Sequence, residues 1–426
     1  MARHFLLMQG PHGPFWAELA ARLRAAGQEV SRVALNAGDA HGWGDGLWRC
    51  DVGAADLRGW LQPRLASRGV TDLVLYGDHR EVHRIAGRLA HDAGLRLHYL
   101  EEGYLRPHWI TYERDGVNGR SPLMNMSMER IRAVARDLQE RDRAAPDQWG
   151  AMGGHLWHGL LYHARVASGA RHWPAYRTHR PIDPARERAL ALRGLIDLPL
   201  RRLRRSRADA RLRRAGVPYH VALLQLGHDA SVQAHSPYRD MRGFVTDVAV
   251  AFARSAPMHH HLVFKLHPFE DGRESLPRHI RAITQELGLA ARTHILEGER
   301  LATLLDAASS AVTINSTAAQ QALWRGLPVW AAGQAIYSKP GLVSNQSLGD
   351  FFAAPFAPDR VDYLAFRRLL LASSQVKGGF YTASGRAQAL RRLIDMILAD
   401  EDPYGAIGCH TGATGAEILP LNAPGA

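Results

Sequence analysis

Only two cysteines stand in the 426 residues, Cys50 and Cys409, far apart and in no metal or redox spacing. A disulfide framework, a zinc ribbon and a thioredoxin-type motif are excluded, and a reducing, cytoplasmic setting is expected. There is no run of about 18 uncharged apolar residues, so no membrane-spanning helix is expected. The opening Met1-Ala2-Arg3-His4-Phe5-Leu6-Leu7-Met8 lacks the long apolar core of a signal peptide and runs straight into a strand pattern. The G-x-G-x-x-G fingerprint is missing, and no Asp-x-Asp stands at a strand end, since Asp400-Glu401-Asp402 closes a C-terminal helix. Dinucleotide binding and metal-dependent diphosphate-sugar chemistry are therefore disfavoured. No clear repeat and no low-complexity tract is present.

What is present in excess is positive charge, +12 overall, and it is concentrated. From His155 to Arg214 the chain carries fifteen arginines, no lysine and four acids. The densest part holds Arg201, Arg202, Arg204 and Arg205 and continues to Arg214. Such a patch fits nucleic acid, an anionic membrane surface or an acidic polymer, or it is a solvated helix face. Nucleic acid is disfavoured, because neither a helix-turn-helix pattern nor aromatic-basic interleaving on a sheet accompanies the charge.

The length suggests two domains. Residues 5–8 read as an apolar strand, followed by a glycine-containing loop, a helical pattern from Phe15 and a second strand at 29–35. A helix at 57–65, a strand at 71–76, a helix through Ala93 and a strand at 96–100 follow. Residues 219–225, 262–266, 294–296, 311–314 and 328–331 read as further strands with helices between them. Strands alternating with helices mean parallel, doubly wound sheets. The expected fold is α/β and GT-B-like: two Rossmann-like lobes, with a cleft between them. The division predicted is 1–125 for the first lobe, on the acceptor side, and 126–216 for a helical, Arg-rich connector. Residues 217–385 form the second lobe, which binds the nucleotide sugar. Residues 386–426 form a C-terminal helix and a tail, disordered from Gly405.

Candidate site residues stand where apolar runs stop, because open α/β sheets bind ligands at the carboxyl ends of their strands. In the first lobe these are Gln9, His12 and Gly13, then Asp78 and Arg80, then Glu101, Glu102 and Arg106. A cleft carboxylate can serve as nucleophile or base toward a sugar anomeric centre; the alternative is a capping acid or a salt bridge to Arg106. Glu101 and Glu102 are adjacent on extended chain, so only one is expected to face the cleft. In the second lobe they are Gln225, Asp229 and Ser236, then Lys265, His267 and Pro268, then Asn315, Ser316 and Thr317. His267 with Lys265 can neutralise a leaving phosphate. Thr317 is expected to begin a helix whose N–H groups, with the Ser316 and Thr317 hydroxyls, meet a phosphate; a plain N-cap is the simpler alternative. His259-His260-His261 points to alternate faces with no acid or cysteine at ligand spacing, so no metal is expected. A nucleoside monophosphate sugar needs none.

These segments together resemble the KpsS/LipB family of capsular polysaccharide synthesis proteins. The resemblance rests on 8–16, 76–83, 101–107, 225–236, 265–268 and 315–342, in that order, within about 5–385. It implies a retaining β-Kdo transferase that uses CMP-Kdo as substrate, without a cofactor. The implied acceptor is an anionic lysophospholipid, lyso-phosphatidylglycerol, on which the first Kdo of the poly-Kdo linker is placed at the inner membrane. A second Kdo transferase and the capsule export machinery are the implied partners. The acidic, His-Pro and Ser/Thr motifs are also similar to those of bacterial sialyltransferases, which use CMP-linked sugar acids. By that likeness Glu101 or Glu102 is the catalytic carboxylate, His267 contacts the CMP phosphate, and Ser316 and Thr317 bind phosphate or cytidine. The related motifs often carry Asp where Glu102 stands, which leaves the choice of glutamate open. A non-catalytic capsule assembly or export factor is the competing class. The arginine patch, in the implied setting, docks on the membrane surface.

Overall fold

The computed structural model describes residues 2–138, 152–177, 216–297 and 301–409, apart from positions 228, 230, 231, 234, 269, 271 and 273, together with Leu212 and Arg214. The described chain forms two compact units. The first holds the residues up to Met126, those of 133–177, and those from Arg367 onward; the second holds Ser127–Arg132 and the described residues between 212 and Phe366.

The first unit is built on β1 (His4–Leu7), β2 (Glu29–Ala34), β3 (Leu47–Arg49), β4 (Asp72–Tyr76), β5 (Arg96–Glu102) and β6 (Trp109–Arg114), in the order β6-β5-β4-β1-β2-β3. β1 to β5 are mutually parallel where they pair, and β6 runs antiparallel to β5. A parallel sheet covered on both faces needs apolar side chains on both, which is why Phe5-Leu6-Leu7 is an unbroken apolar run. Alternation divides it. Phe5 and Leu7 pack with Phe15, Trp16, Leu19 and Leu23 of the helix Phe15–Ala25. Leu6 and Met8 pack on the other side with Leu57, Leu61 and Leu65 of the helix Leu57–Ser67 and Ala86 and Leu89 of the helix Glu81–Asp92.

The second unit holds β7 (Tyr219–Leu223), β8 (His261–Lys265), β9 (Thr293–Leu296), β10 (Ser310–Thr313) and β11 (Val329–Ala331), ordered β11-β10-β7-β8-β9 and all parallel. Its longest helix among the described residues, Met241–Ser255, starts where the Asp240 carboxylate accepts the Gly243 N–H at 2.9 Å. That helix buries Phe244, Val245, Val248 and Phe252 against Ala222, Leu262 and Phe264. Two Rossmann-like α/β lobes are thus present.

The chain then re-enters the first unit at Arg367, within the helix Arg360–Ala372. β12 (Gln375–Lys377) adds antiparallel to β6 and completes a seven-stranded sheet. The helix Ala383–Leu398 sends Ala389, Leu390, Leu393 and Ile397 into the core around Phe5 and Leu7. The second lobe therefore ends before residue 385. The connector differs too: the helix Met152–Gly169 is part of the first unit. There a Cβ on Gly169 would lie 2.2 Å from the Ala37 side chain, so only glycine allows the approach. Gly405 does not begin a loose tail, because Tyr404 is fully buried with its hydroxyl on Glu113, and Cys409 lies 3.5 Å from the Met126 sulfur. Both cysteines are buried, and no disulfide joins them. Arg201, Arg202, Arg204 and Arg205 lie outside the described residues. No described helix is long and apolar enough to cross a membrane.

Candidate active site

In the first unit Leu7 stands beside Val74, and Val74 beside His98, so β1, β4 and β5 run in step and the residues following them meet. Gln9, just past β1, is 4% exposed. Its amide donates to Asp39 at 3.1 Å and to the Tyr162 hydroxyl at 2.9 Å, and its carbonyl accepts from Arg80 at 2.8 Å. Asp39 is buried with Arg32 at 3.6 Å; burial raises its carboxyl and Arg32 opposes the rise. His12 stacks on Tyr162 at 4.5 Å. Gly13, at φ +100°, adopts a conformation that favours glycine, and a Cβ there would also strike the His158 ring.

Arg80 lies over the Tyr76 ring at 5.6 Å, and Tyr76 leads to the acidic pair. Its hydroxyl donates to Glu102 at 3.5 Å. Tyr381, delivered by the chain that follows β12, also bonds Glu102. Phe380 meets Tyr76 edge-on at 5.2 Å and anchors that approach. Burial holds the half-buried Glu102 carboxyl above the usual carboxylate range, while Arg106 and the two phenols pull it down. Glu101 lies over Gly77. Both glutamates influence the phenols of Tyr76 and Tyr381, Glu102 the more strongly. The structure thus joins Gln9, His12, Arg80, Glu102 and Arg106 through Tyr162, Tyr76 and Tyr381. Asp78 is 2% exposed, with the His79 ring 3.1 Å away and Arg120 as its ion-pair partner at 4.0 Å.

The loop after the pair is pinned from two sides. Gln375 on β12 accepts the Tyr104 N–H at 2.9 Å and donates to Thr111 at 3.0 Å. The Tyr104 hydroxyl donates to the fully buried Glu113 of β6 at 2.8 Å, as does Ser121 at 2.8 Å, with Tyr404 as the third donor. Burial pushes the Glu113 carboxyl up to about 7, against these bonds.

In the second unit Leu223, Lys265 and Thr313 share one rung of the sheet. Gln225, His267 and Asn315 each follow two residues later, so register alone assembles them at the carboxyl edge. Gln225 and Asn315 hold each other by two bonds, at 3.0 and 3.1 Å. The Lys265 ammonium is buried and donates to the Leu266 carbonyl at 3.2 Å. His267 is half-buried and Pro268 exposed. Tyr337, fully buried, donates to the Ser316 carbonyl at 2.7 Å and ties the loop after β11 to the loop after β10. Lys339, two residues on, is buried, and its ammonium is lowered to about 8 by that burial.

Several expectations change here. The helix after β10 is the six-residue Ala319–Trp324 rather than one beginning at Thr317. The Ser316 hydroxyl accepts the Ala318 N–H at 3.2 Å, the plain capping role. Thr317 is half-buried beside it. Ser236 donates to the Val232 carbonyl at 2.6 Å and accepts from the Tyr238 N–H at 3.2 Å, closing a local turn. Asp229 is exposed. The histidine run sits at the opposite, amino edge of the sheet: His260 pairs with His220 at 2.9 Å and His261 with His294 at 2.8 Å. Among the described residues no group of three or more His, Cys, Asp or Glu is placed to hold a metal ion. Tyr162, Tyr381 and Lys339 were not singled out from the sequence, because a phenol or amine is recruited by tertiary contact and has no local pattern.

Residues 71–381 match the family described as "Capsule polysaccharide biosynthesis protein". The chain belongs to that family. It is 30% identical over 387 residues to the Escherichia coli "Capsule polysaccharide export protein KpsS", covering 89% of this chain and 97% of that protein. It is 29% identical over 390 residues to the Neisseria meningitidis "Capsule polysaccharide modification protein LipB", covering 89% and 92%. Among solved structures it is similar to the Thermosulfurimonas dismutans "KpsC, beta Kdo 2,7 transferase", with a TM-score of 0.45 at 12% identity, covering 93% of this chain and 99% of that one. Membership assigns the chain to capsule polysaccharide biosynthesis.

Proposed function

We propose that this capsule-family protein is a glycosyltransferase that moves Kdo from CMP-Kdo to a lyso-phosphatidylglycerol acceptor with retention, and that Glu102 is its nucleophile. The observation that carries the proposal is the Glu102 carboxyl at the end of β5, bonded by Tyr76 and Tyr381 and flanked by Arg106. Two phenols fix its direction, and partial burial strips water from it, which favours attack on an anomeric carbon over solvation. In the first displacement the carboxylate bonds to the anomeric carbon as the CMP phosphate leaves. In the second, the acceptor hydroxyl replaces the carboxylate and gives up its proton, restoring the starting configuration. Glu101, close by, is the candidate to accept that proton.

On the second unit, Lys265 and His267 stand at the edge where Gln225 and Asn315 converge, supporting a role in holding the CMP phosphate. A monophosphate leaving group held by the Lys265 ammonium and the His267 ring would need no metal. The anionic acceptor and the Arg201–Arg214 run support a peripheral position on the inner membrane, at roughly 1 kcal/mol per basic residue near the surface. A second Kdo transferase and the export machinery are the partners that this reading implies.

A second reading, a non-catalytic export factor, is favoured by the name of the Escherichia coli relative. A transferase that uses another CMP-linked sugar acid is its enzymatic competitor. Purified protein incubated with CMP-Kdo generated in place and a fluorescent lyso-phosphatidylglycerol decides among them by mass spectrometry. A gain of one Kdo, abolished in Glu102→Gln, is expected. CMP binding without a Kdo gain would point to another sugar or acceptor; neither binding nor gain would leave the export factor.

A further inference from the structure

The helix Met152–Gly169 has two unlike faces. Inward, Tyr162 bonds Gln9, Asn36 and Asp39, and His155 meets Tyr381 edge-on at 4.5 Å. Outward, Leu156, Trp157, Leu160, His163, Ala164 and Ala167 are exposed. At about 100° per residue these six fall on one continuous arc of about 120°. Leu156, Trp157 and Leu160 are 55%, 59% and 63% exposed, in a protein whose other large apolar side chains are mostly buried. That arc carries no charged residue. From 152 to 177 the sequence has no Asp or Glu, and its charges are Arg165, Arg171 and Arg177.

Three large apolar side chains held together on one surface helix call for a partner. Charge complementarity says which. An acid-free stretch with three arginines suits anionic phosphate headgroups, and a tryptophan beside leucines suits the boundary between headgroup and acyl chain. The helix is not apolar enough to span a bilayer, so it would lie in the plane.

We infer that the outward face of Met152–Gly169 is a membrane-interface surface, which lays Leu156, Trp157 and Leu160 into the headgroup–acyl boundary of an anionic bilayer. This deepens the peripheral-membrane part of the proposed function by naming the surface that docks. It has a consequence for the acceptor. The opposite face of the same helix touches Tyr381, the neighbour of Glu102, so docking would put the acidic pair behind this helix, separated from the headgroups by one helix diameter, roughly 10 Å, and the Tyr381 ring.

The test uses the full chain and vesicles of equal parts phosphatidylglycerol and phosphatidylcholine. Leu156→Gln, Trp157→Gln and Leu160→Gln combined should weaken co-sedimentation at least tenfold. Leu160→Cys carrying an NBD label should shift to the blue on adding vesicles and be quenched by a shallow bilayer quencher; the two native cysteines are buried and do not compete. Should the triple variant misfold by circular dichroism, the labelled variant alone decides. Undiminished binding by a folded triple variant would overturn the surface. So would a label unmoved by vesicles, a label already shielded in buffer by the chain itself, or a triple variant that turns a dimer into a monomer. Turnover on a water-soluble acceptor separates the two proposals: the enzyme reading can fail while docking stands, and docking can fail while turnover stands.

Discussion

Gly77 leaves open the space that Glu101 occupies: a Cβ built on Gly77 would lie 2.6 Å from Oε2 of Glu101. Gly77 also has φ +68°, in the left-handed region. Two constraints, one conformational and one steric, meet at a residue beside the acidic pair. Gly77→Ala should cost about 1–2 kcal/mol in urea unfolding. It should displace Glu101 and slow transfer far less than Glu102→Gln, which should lose roughly three orders of magnitude or more. Equal losses in both variants would shift the nucleophile to Glu101.

Tyr381 tunes Glu102. Burial raises the carboxyl, and the Tyr381 hydroxyl is one of the groups that lower it. An attacking carboxylate works ionised, so rate falls as pH drops through its pKa. Tyr381→Phe removes a lowering influence, and the acid limb of the pH–rate profile should move to higher pH. A limb that stays in place would separate this phenol from the reacting carboxyl.

Glu113 should make the first unit less stable as pH rises. Its carboxyl is pushed up to about 7 in the folded chain from an ordinary 4.5. Between those values the folded state keeps a proton that the unfolded state has released, so stability falls across that window and stays lower above it. Glu113→Gln should flatten the slope and gain up to about 3 kcal/mol at pH 8 relative to pH 4.5, read by urea unfolding at both.

His220 should do the reverse in the second unit. Burial, then the neighbouring His260, lowers its imidazole from 6.5 to about 4. Between those values the unfolded chain takes up a proton that the folded one refuses, so stability is whole above about 6.5 and is lost as pH falls toward 4. The loss should be up to about 3 kcal/mol and absent in His220→Phe, after allowing for the bond to Ser310 at 2.7 Å that this change removes.

The alternation of apolar runs and helices was legible because parallel strands buried on both faces must be apolar throughout, as Phe5-Leu6-Leu7 and Val263-Phe264 are. The convergence of Gln225, His267 and Asn315 followed from where such runs stop. β6 was not legible, since its buried Thr111, Glu113 and Arg114 break the apolar pattern by which a buried strand is recognised. Their partners are remote: Gln375 for Thr111, Tyr404 for Glu113, and the carbonyls of Ala399 and Asp400 for Arg114. β12 has three residues, too few for any period. The docking of Tyr381 on Glu102 depends on that strand and was out of reach with it.

The late return of the chain also sets an order of assembly. As a ribosome releases the protein, β1 to β6 emerge before the second sheet, yet β6 lacks its outer neighbour β12 and the core around Phe5 and Leu7 lacks Leu390, Leu393 and Ile397 until the second sheet has followed. The five strands of the second sheet emerge in one uninterrupted stretch and need nothing from beyond it to pair. The second unit, although made after β1 to β6, is therefore positioned to fold first, and the first unit, with its acidic pair, must wait on the nascent chain for β12 and the helix Ala383–Leu398 to close it.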